Sequence, residues 1–202
     1  MIRTVLGDIR KEELGRTLAH EHFIIDLSKV RHDNFSLIET VEEVVPEIRL
    51  AMATGIDAAF EVSTIDLSRD VLKLREISLQ TGLKIVCSTG FYLTQYHPAW
   101  LADATVEDIA RIYIKELTEG IGDTGIKAGL IAEIASSPLR FEGQEKKCLQ
   151  AAAIAARTTG AAVSTHTGRP TAMETIDTLL DGGVAPDKII IGHQDLINDP
   201  EY

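Results

Sequence analysis

Residues 17–26, Thr17-Leu18-Ala19-His20-Glu21-His22-Phe23-Ile24-Ile25-Asp26, are the stretch from which the fold is read. Two histidines stand two residues apart in a largely apolar run. In an extended strand, residues i and i+2 share a face, so His20 and His22 can both reach one metal ion. Neutral imidazole is a common ligand for zinc and its neighbours. On a helix, the metalloprotease pattern would need the pair at i and i+4. Taken alone, the pair is also what two ordinary histidines at a strand end look like. Its meaning depends on what the later strands carry.

Working outward, the chain alternates between two periods. From Glu39 to Thr54, apolar residues recur at Val41, Val44, Val45, Ile48 and Met52, a helical spacing that stops at Gly55. Ala58-Ala59-Phe60-Glu61-Val62 reads as a short strand, and Ser68 as the N-cap of a helix running to Gln80. Lys84 to Ser88 is the next strand. A long loop follows through Phe91, Tyr92, His97, Pro98 and Trp100. Thr105, with Asp108 three residues on, opens a third helix through a variant of the capping box. The second half repeats this rhythm. Strands are predicted at Gly129–Ile134, Ala162–His166 and Lys188–His193, with helices at Glu145–Thr158 and Met173–Leu180 between them. Three helix-to-strand junctions use the same pair, Thr54-Gly55, Thr81-Gly82 and Thr159-Gly160, where glycine supplies a left-handed cap. Six strands alternating with helices imply βαβ units and a parallel sheet. No linker divides them, so a single domain over 1–202 is expected.

Composition bounds the partners. With 202 residues, 45% of them hydrophobic and 25% charged, the chain can bury a substantial core. A formal charge of -11 argues against nucleic acid or an anionic membrane as partner. No apolar run approaches the ~20 residues of a membrane span, and no signal-type segment follows Met1. Cys87 and Cys148 make no disulfide framework; Cys87 reads as a small buried hydrophobe. A cytoplasmic protein is expected.

The residues with chemistry fall at strand ends. After His20 and His22 come Glu133 on the fourth strand, His166 at the end of the fifth and His193 at the end of the sixth. Each has a plain alternative: a helix-facing acid, a satisfied buried histidine, a loop residue. In a barrel of parallel strands, however, functional side chains gather at the C-terminal mouth. A carboxylate there can also give one oxygen to each of two cations.

These motifs carry a resemblance. His20-Glu21-His22, Ser68-Arg69-Asp70, Thr89-Gly90-Phe91-Tyr92, Ala128 to Ile134, Thr165-His166-Thr167 and Ile191-Gly192-His193 together resemble the phosphotriesterase family of the amidohydrolase superfamily. The likeness runs over essentially the whole chain, and it implies a TIM (β/α)8-type barrel. By that resemblance, His20 and His22 hold a more buried metal, while His166 and His193 hold a more exposed one. Many relatives bridge the two with a carboxylated lysine; Glu133 stands in its place, as in the phosphotriesterase homology proteins. Tyr92 matches a loop aromatic that lies beside the bridging hydroxide in lactonase-like members, though a packing aromatic would look the same. The implied cofactors are two divalent ions, zinc first, with manganese, cobalt or iron as alternatives. The implied reaction is hydrolysis of a small ester, lactone or phosphoester, with the two cations generating hydroxide near neutral pH.

One departure from the family stands out. Its barrel has eight strands, and the eighth supplies an aspartate that shuttles protons; neither Asp26 nor Asp195 matches that position. Only about six of eight βα units are present, against the ~250 residues of a typical barrel. The expectation is a truncated chain that either continues past Tyr202 or closes its strand edges against a second copy as a homodimer. A chain ending there should turn over weakly. Two other readings compete: a catalytically inactive metal-binding homologue, and a mononuclear deaminase-type enzyme, disfavoured because Glu133 provides a bridging ligand.

Overall fold

The three Thr-Gly junctions behave as their chemistry requires. Gly55, Gly82 and Gly160 have φ of 95°, 82° and 76°, and each lets the chain turn from a helix into the strand that follows. The computed structural model describes residues 1–196; the tail from 197 on lies outside the described residues. Packing divides the described chain into two compact units.

The first unit holds residues 1–89 and 115–130. Its sheet has three parallel strands, β3 (Thr17–Glu21), β6 (Ala58–Glu61) and β7 (Lys84–Thr89). Two antiparallel ladders flank it in sequence, and neither had a signal in the periodicity. They are β1 (Ile2–Thr4) with β2 (Gly7–Ile9), and β4 (Ile25–Asp26) with β5 (Leu37–Ile38). The stretch 17–26 is therefore not one strand: β3 stops at Glu21, and β4 pairs elsewhere. Helices α1 (Ser28–Arg31), α2 (Val41–Ala53) and α3 (Val71–Thr81) connect these strands.

The periodic apolar residues of α2 and α3 turn inward. Val44, Val45, Ile48, Leu74 and Ile77 are buried, as are Ala58, Ala59, Ile85 and Cys87 of the sheet. Pro46 interrupts the amide series of α2 from its exposed side, where water can reach the carbonyl left without a donor. Thr40 and Glu43 cap α2 reciprocally, Thr40 Oγ1 accepting the Glu43 N–H at 3.4 Å and Glu43 accepting the Thr40 N–H at 3.3 Å. Ser68 is not the N-cap of α3. It takes φ 63°, and the cap is Asp70, whose Oδ1 accepts the Leu72 and Lys73 N–H groups at 3.0 and 3.1 Å. Asp70 has the extended backbone an N-cap needs, φ -124° and ψ 98°, whereas Ser68 is left-handed.

The second unit holds residues 90–114 and those from 131 onward. Its parallel strands are β8 (Leu130–Ala135), β9 (Val163–His166) and β10 (Ile189–Gly192), with β9 in the middle. Helices α5 (Gly143–Thr159) and α6 (Ala172–Asp181) join them. Helix α4 (Val106–Thr118) starts in this unit and ends in the first. Its start carries the expected reciprocal cap, Thr105 N–H and O–H to Asp108 at 3.0 and 2.6 Å, returned by the Asp108 N–H at 3.1 Å. Five alanines of α5, at 151, 152, 153, 155 and 156, are buried and let the helix lie close to its neighbours. The architecture is α/β, built from parallel strands and intervening helices of the kind a TIM barrel uses. Among the described residues, no helix is long and apolar enough to cross a membrane.

Candidate metal centre

Each unit brings together one set of the residues singled out by the sequence. In the first unit, His20 lies in β3 and His22 one residue beyond it, with ring centroids 5.3 Å apart at 74°. A register shift helps to aim them: Leu18 faces Ala59 but Glu21 faces Glu61, so β3 gains one residue over β6 between these points. His22 Nδ1 lies 3.0 Å from the Ser63 hydroxyl. Beside them is Glu61, a wholly buried carboxylate that no sequence signal marked beyond its place at a strand end. Burial pushes Glu61 up to about 7, opposed by the Ser63 hydroxyl, His22, the Phe23 N–H and Arg69.

In the second unit, Glu133, His166 and His193 converge. Glu133 is 2% exposed. Its Oε2 lies 3.1 Å from His166 Nδ1 and 3.6 Å from His193 Nε2, and the two imidazole centroids are 4.3 Å apart. Strand register does the positioning. Ala135, His166 and Gly192 stand opposite one another across β8, β9 and β10, and β8 carries an extra residue between Ile131 and Ile134. His193 follows β10 rather than ending it, with a left-handed φ of 62°. Gln194 fastens that turn, its Nε2 donating to the Gly192 carbonyl at 2.9 Å and the Thr167 carbonyl at 3.3 Å. The Glu133 carboxylate beside it raises the His193 pKa against the opposing effect of burial.

Tyr92 joins this set. Its hydroxyl is 3.1 Å from His166 Nε2, and the rings meet edge to face at 4.8 Å. The Tyr92 backbone carbonyl in turn accepts from His97 Nε2 at 2.9 Å. A cavity of about 280 Å³ opens beside the two histidines, lined also by Ser136, Pro138, Thr167 and Leu196. A carboxylate oxygen and imidazole nitrogens so close together form a donor set suited to zinc or a neighbouring divalent ion. The residues fit such an ion.

Comparison with known proteins agrees with the fold and the motifs. The chain superposes on the crystal structure of the Escherichia coli phosphotriesterase homology protein, complexed with phosphate in its active site, with a TM-score of 0.89. The match has 30% identity and covers 94% of this chain and 66% of that one. The α/β fold is thus of the TIM (β/α)8 type. By sequence, the same Escherichia coli protein is 32% identical over 90% of this chain and 63% of its own length. An N-acetyltaurine hydrolase of Xenopus tropicalis is 31% identical, over 96% of this chain and 64% of its own. An aryldialkylphosphatase of Saccharolobus solfataricus is 32% identical, over 92% and 60%. The phosphotriesterase family profile matches residues 1–202, and the chain belongs to that family. It spans less than two thirds of the length of these curated relatives.

Proposed function

We propose that the protein is a metal-dependent hydrolase acting on a small molecule. The observation that carries this reading is the Glu133–His166–His193 cluster, a buried carboxylate with two imidazole nitrogens at 3.1 and 3.6 Å. These three residues are one proposed ligand set, and His20 with His22 is the other. Two divalent ions are proposed, zinc first, with Glu133 as the shared carboxylate; that binuclear arrangement rests on the family resemblance. When bound, such ions supply Lewis-acid chemistry, acidifying water and polarising a carbonyl or phosphoryl oxygen.

The chain's own groups do the rest. Glu133 fixes the orientation of both imidazoles beside it. Tyr92 holds a phenolic O–H against His166 and is the proposed substrate-proximal residue. The small cavity beside His166 and His193, with Pro138 and Leu196 on its wall, would take an apolar group of the substrate. Esters, lactones and phosphoesters are the proposed substrates. Because relatives include an N-acetyltaurine hydrolase as well as an aryldialkylphosphatase, an acylated amine belongs in the panel too.

The test is elemental analysis of protein purified without chelator. Close to two divalent ions per chain are expected, and Glu133→Ala should lose both affinity and the bridge. Finding no transition metal overturns the reading, as does turnover that a chelator leaves untouched.

A further inference from the structure

We infer that Glu145 and His97 are positioning residues of the site, holding the Tyr92 phenol against His166 from the start of α5. The inference rests on the place beside the substrate proposed for Tyr92. Tyr92 lies in the stretch 91–105, whose regular structure is two short 3-10 turns, Thr94–Tyr96 and Ala99–Ala102. A stretch so poor in repeating backbone bonds is fixed by the partners its amides and carbonyls find elsewhere. Here α5 supplies them at three points. His97 Nε2 donates to the carbonyl of Tyr92 itself at 2.9 Å, while Nδ1 lies 3.3 Å from the Gln144 carboxamide. Glu145 Oε1 accepts the Thr94 N–H at 3.2 Å. Lys147 Nζ donates to the carbonyls of Leu101, Ala102 and Ala104 at 3.2, 3.0 and 2.9 Å, securing the far end.

Glu145 also reaches the opposite side of the cavity. The same carboxylate accepts the Ser137 N–H at 2.8 Å and the Ser137 hydroxyl at 2.7 Å. Ser136 and Pro138, the neighbours of Ser137, line the cavity beside His166 and His193. An apolar side chain would fill the volume of Glu145 without the cost of desolvating a charge. What the carboxylate adds is a tie between the two segments that flank the cavity. The phenol is thereby ordered before any substrate arrives, at a place where a misplacement of about 1 Å can cost roughly 100-fold in rate.

The test is NMR on the metal-free chain, reading nuclear Overhauser cross-peaks between aromatic rings. The Tyr92–His166 pair, with centroids 4.8 Å apart, reports the position of the phenol, and the Phe91–Tyr113 pair, at 5.9 Å, reports the surrounding core. In His97→Phe, which keeps a ring against Phe91 but neither nitrogen, the Tyr92–His166 cross-peak should be lost while Phe91–Tyr113 persists. His97→Gln, whose carboxamide can still donate to the Tyr92 carbonyl, should restore it. Glu145→Gln should lose the cross-peak too. Thr94→Pro serves where that variant does not fold, because it removes the one amide that links Glu145 to the Tyr92 segment. Proline suits the first position of a 3-10 turn, and Leu93 before it is already extended at ψ 148°. A cross-peak missing from the unmutated chain overturns the inference, as does one that survives His97→Phe or the Glu145 and Thr94 variants, or that His97→Gln fails to restore. Metal counting on the unmutated chain tests the hydrolase reading separately: a zinc-binding chain whose ring contact survives every variant removes only the positioning claim.

Discussion

His193 holds a left-handed φ of 62°, a conformation that residues with a Cβ adopt only when the surroundings hold them there. Gly192 before it makes the turn feasible, since a Cβ at that position would run into the Thr165 carbonyl oxygen. A second residue with an unusual environment is Glu145. It is fully buried, and its carboxylate accepts from the N–H groups of Ser137, Glu142 and Thr94 at 2.8, 3.0 and 3.2 Å and from the Ser137 hydroxyl at 2.7 Å. Burial alone would raise its pKa, but these hydrogen bonds outweigh it and hold the carboxyl below the ordinary 4.5. A depressed folded pKa stabilises the protein above the unfolded value, and the contribution is lost as the pH falls through the folded one. Glu145→Gln should therefore cost about 2–3 kcal/mol near neutrality. The gap to the unmutated protein should close as urea melts are repeated at pH values below 4.5. A gap that stays constant on acidification would refute the assignment. At this scale the sequence marked His166, His193 and Glu133 by residue type and by position at strand ends. Glu61, Ser63 and Glu145 carry no such mark, because an acid or a serine becomes chemically distinctive only through what buries it.

Elements were legible where a repeating physical cause writes itself into the chain. The helical spacing of α2, the Thr105–Asp108 cap and the three Thr-Gly stops are each local. The ladders β1–β2 and β4–β5 have only two or three residues per strand, too few to show a period. Ser68 failed as a cap because its backbone is left-handed, while Asp70, two residues later, has the extended conformation of an N-cap. The Ser68-Arg69-Asp70 segment has another task. Arg69 sends Nη1 to the Ser88 carbonyl at 2.6 Å and forms two bonds with Glu116, at 2.8 and 3.0 Å, tying α3's entrance to β7 and to the last turn of α4. Both side chains are nearly buried, 5% and 13% exposed. Removing one partner from such a pair leaves an uncompensated charge, so Arg69→Ala or Glu116→Ala should each destabilise by about 3–5 kcal/mol. The double variant Arg69→Met/Glu116→Leu should recover much of that. Chemical denaturation of the three variants is the check, and additive losses in the double variant would contradict the pairing.

For the molecule as a whole, metal should act as a folding ligand. At free zinc about 100 times its Kd, mass action stabilises the folded chain by ~2.7 kcal/mol. For a chain of this size that is a rise of about 5–10 °C in the thermal midpoint, reversed by a chelator and absent in a variant lacking His166 and His193. A midpoint indifferent to zinc and chelator would count against the metal centre whatever the activity. The sequence by itself determined the alternation of strands and helices, hence the α/β class, and the motifs that match the phosphotriesterase family. Hydrophobic period and cap chemistry act between near neighbours and survive translation into one dimension. Only the tertiary structure decided which groups meet: His22 with Ser63 across 41 residues, Glu133 with His166 across 33, Arg69 with Glu116 across 47. Those meetings depend on strand register, and a shift of one residue, as occurs in both β3 and β8, redirects the side chains that follow. No spacing rule along the chain records such a shift.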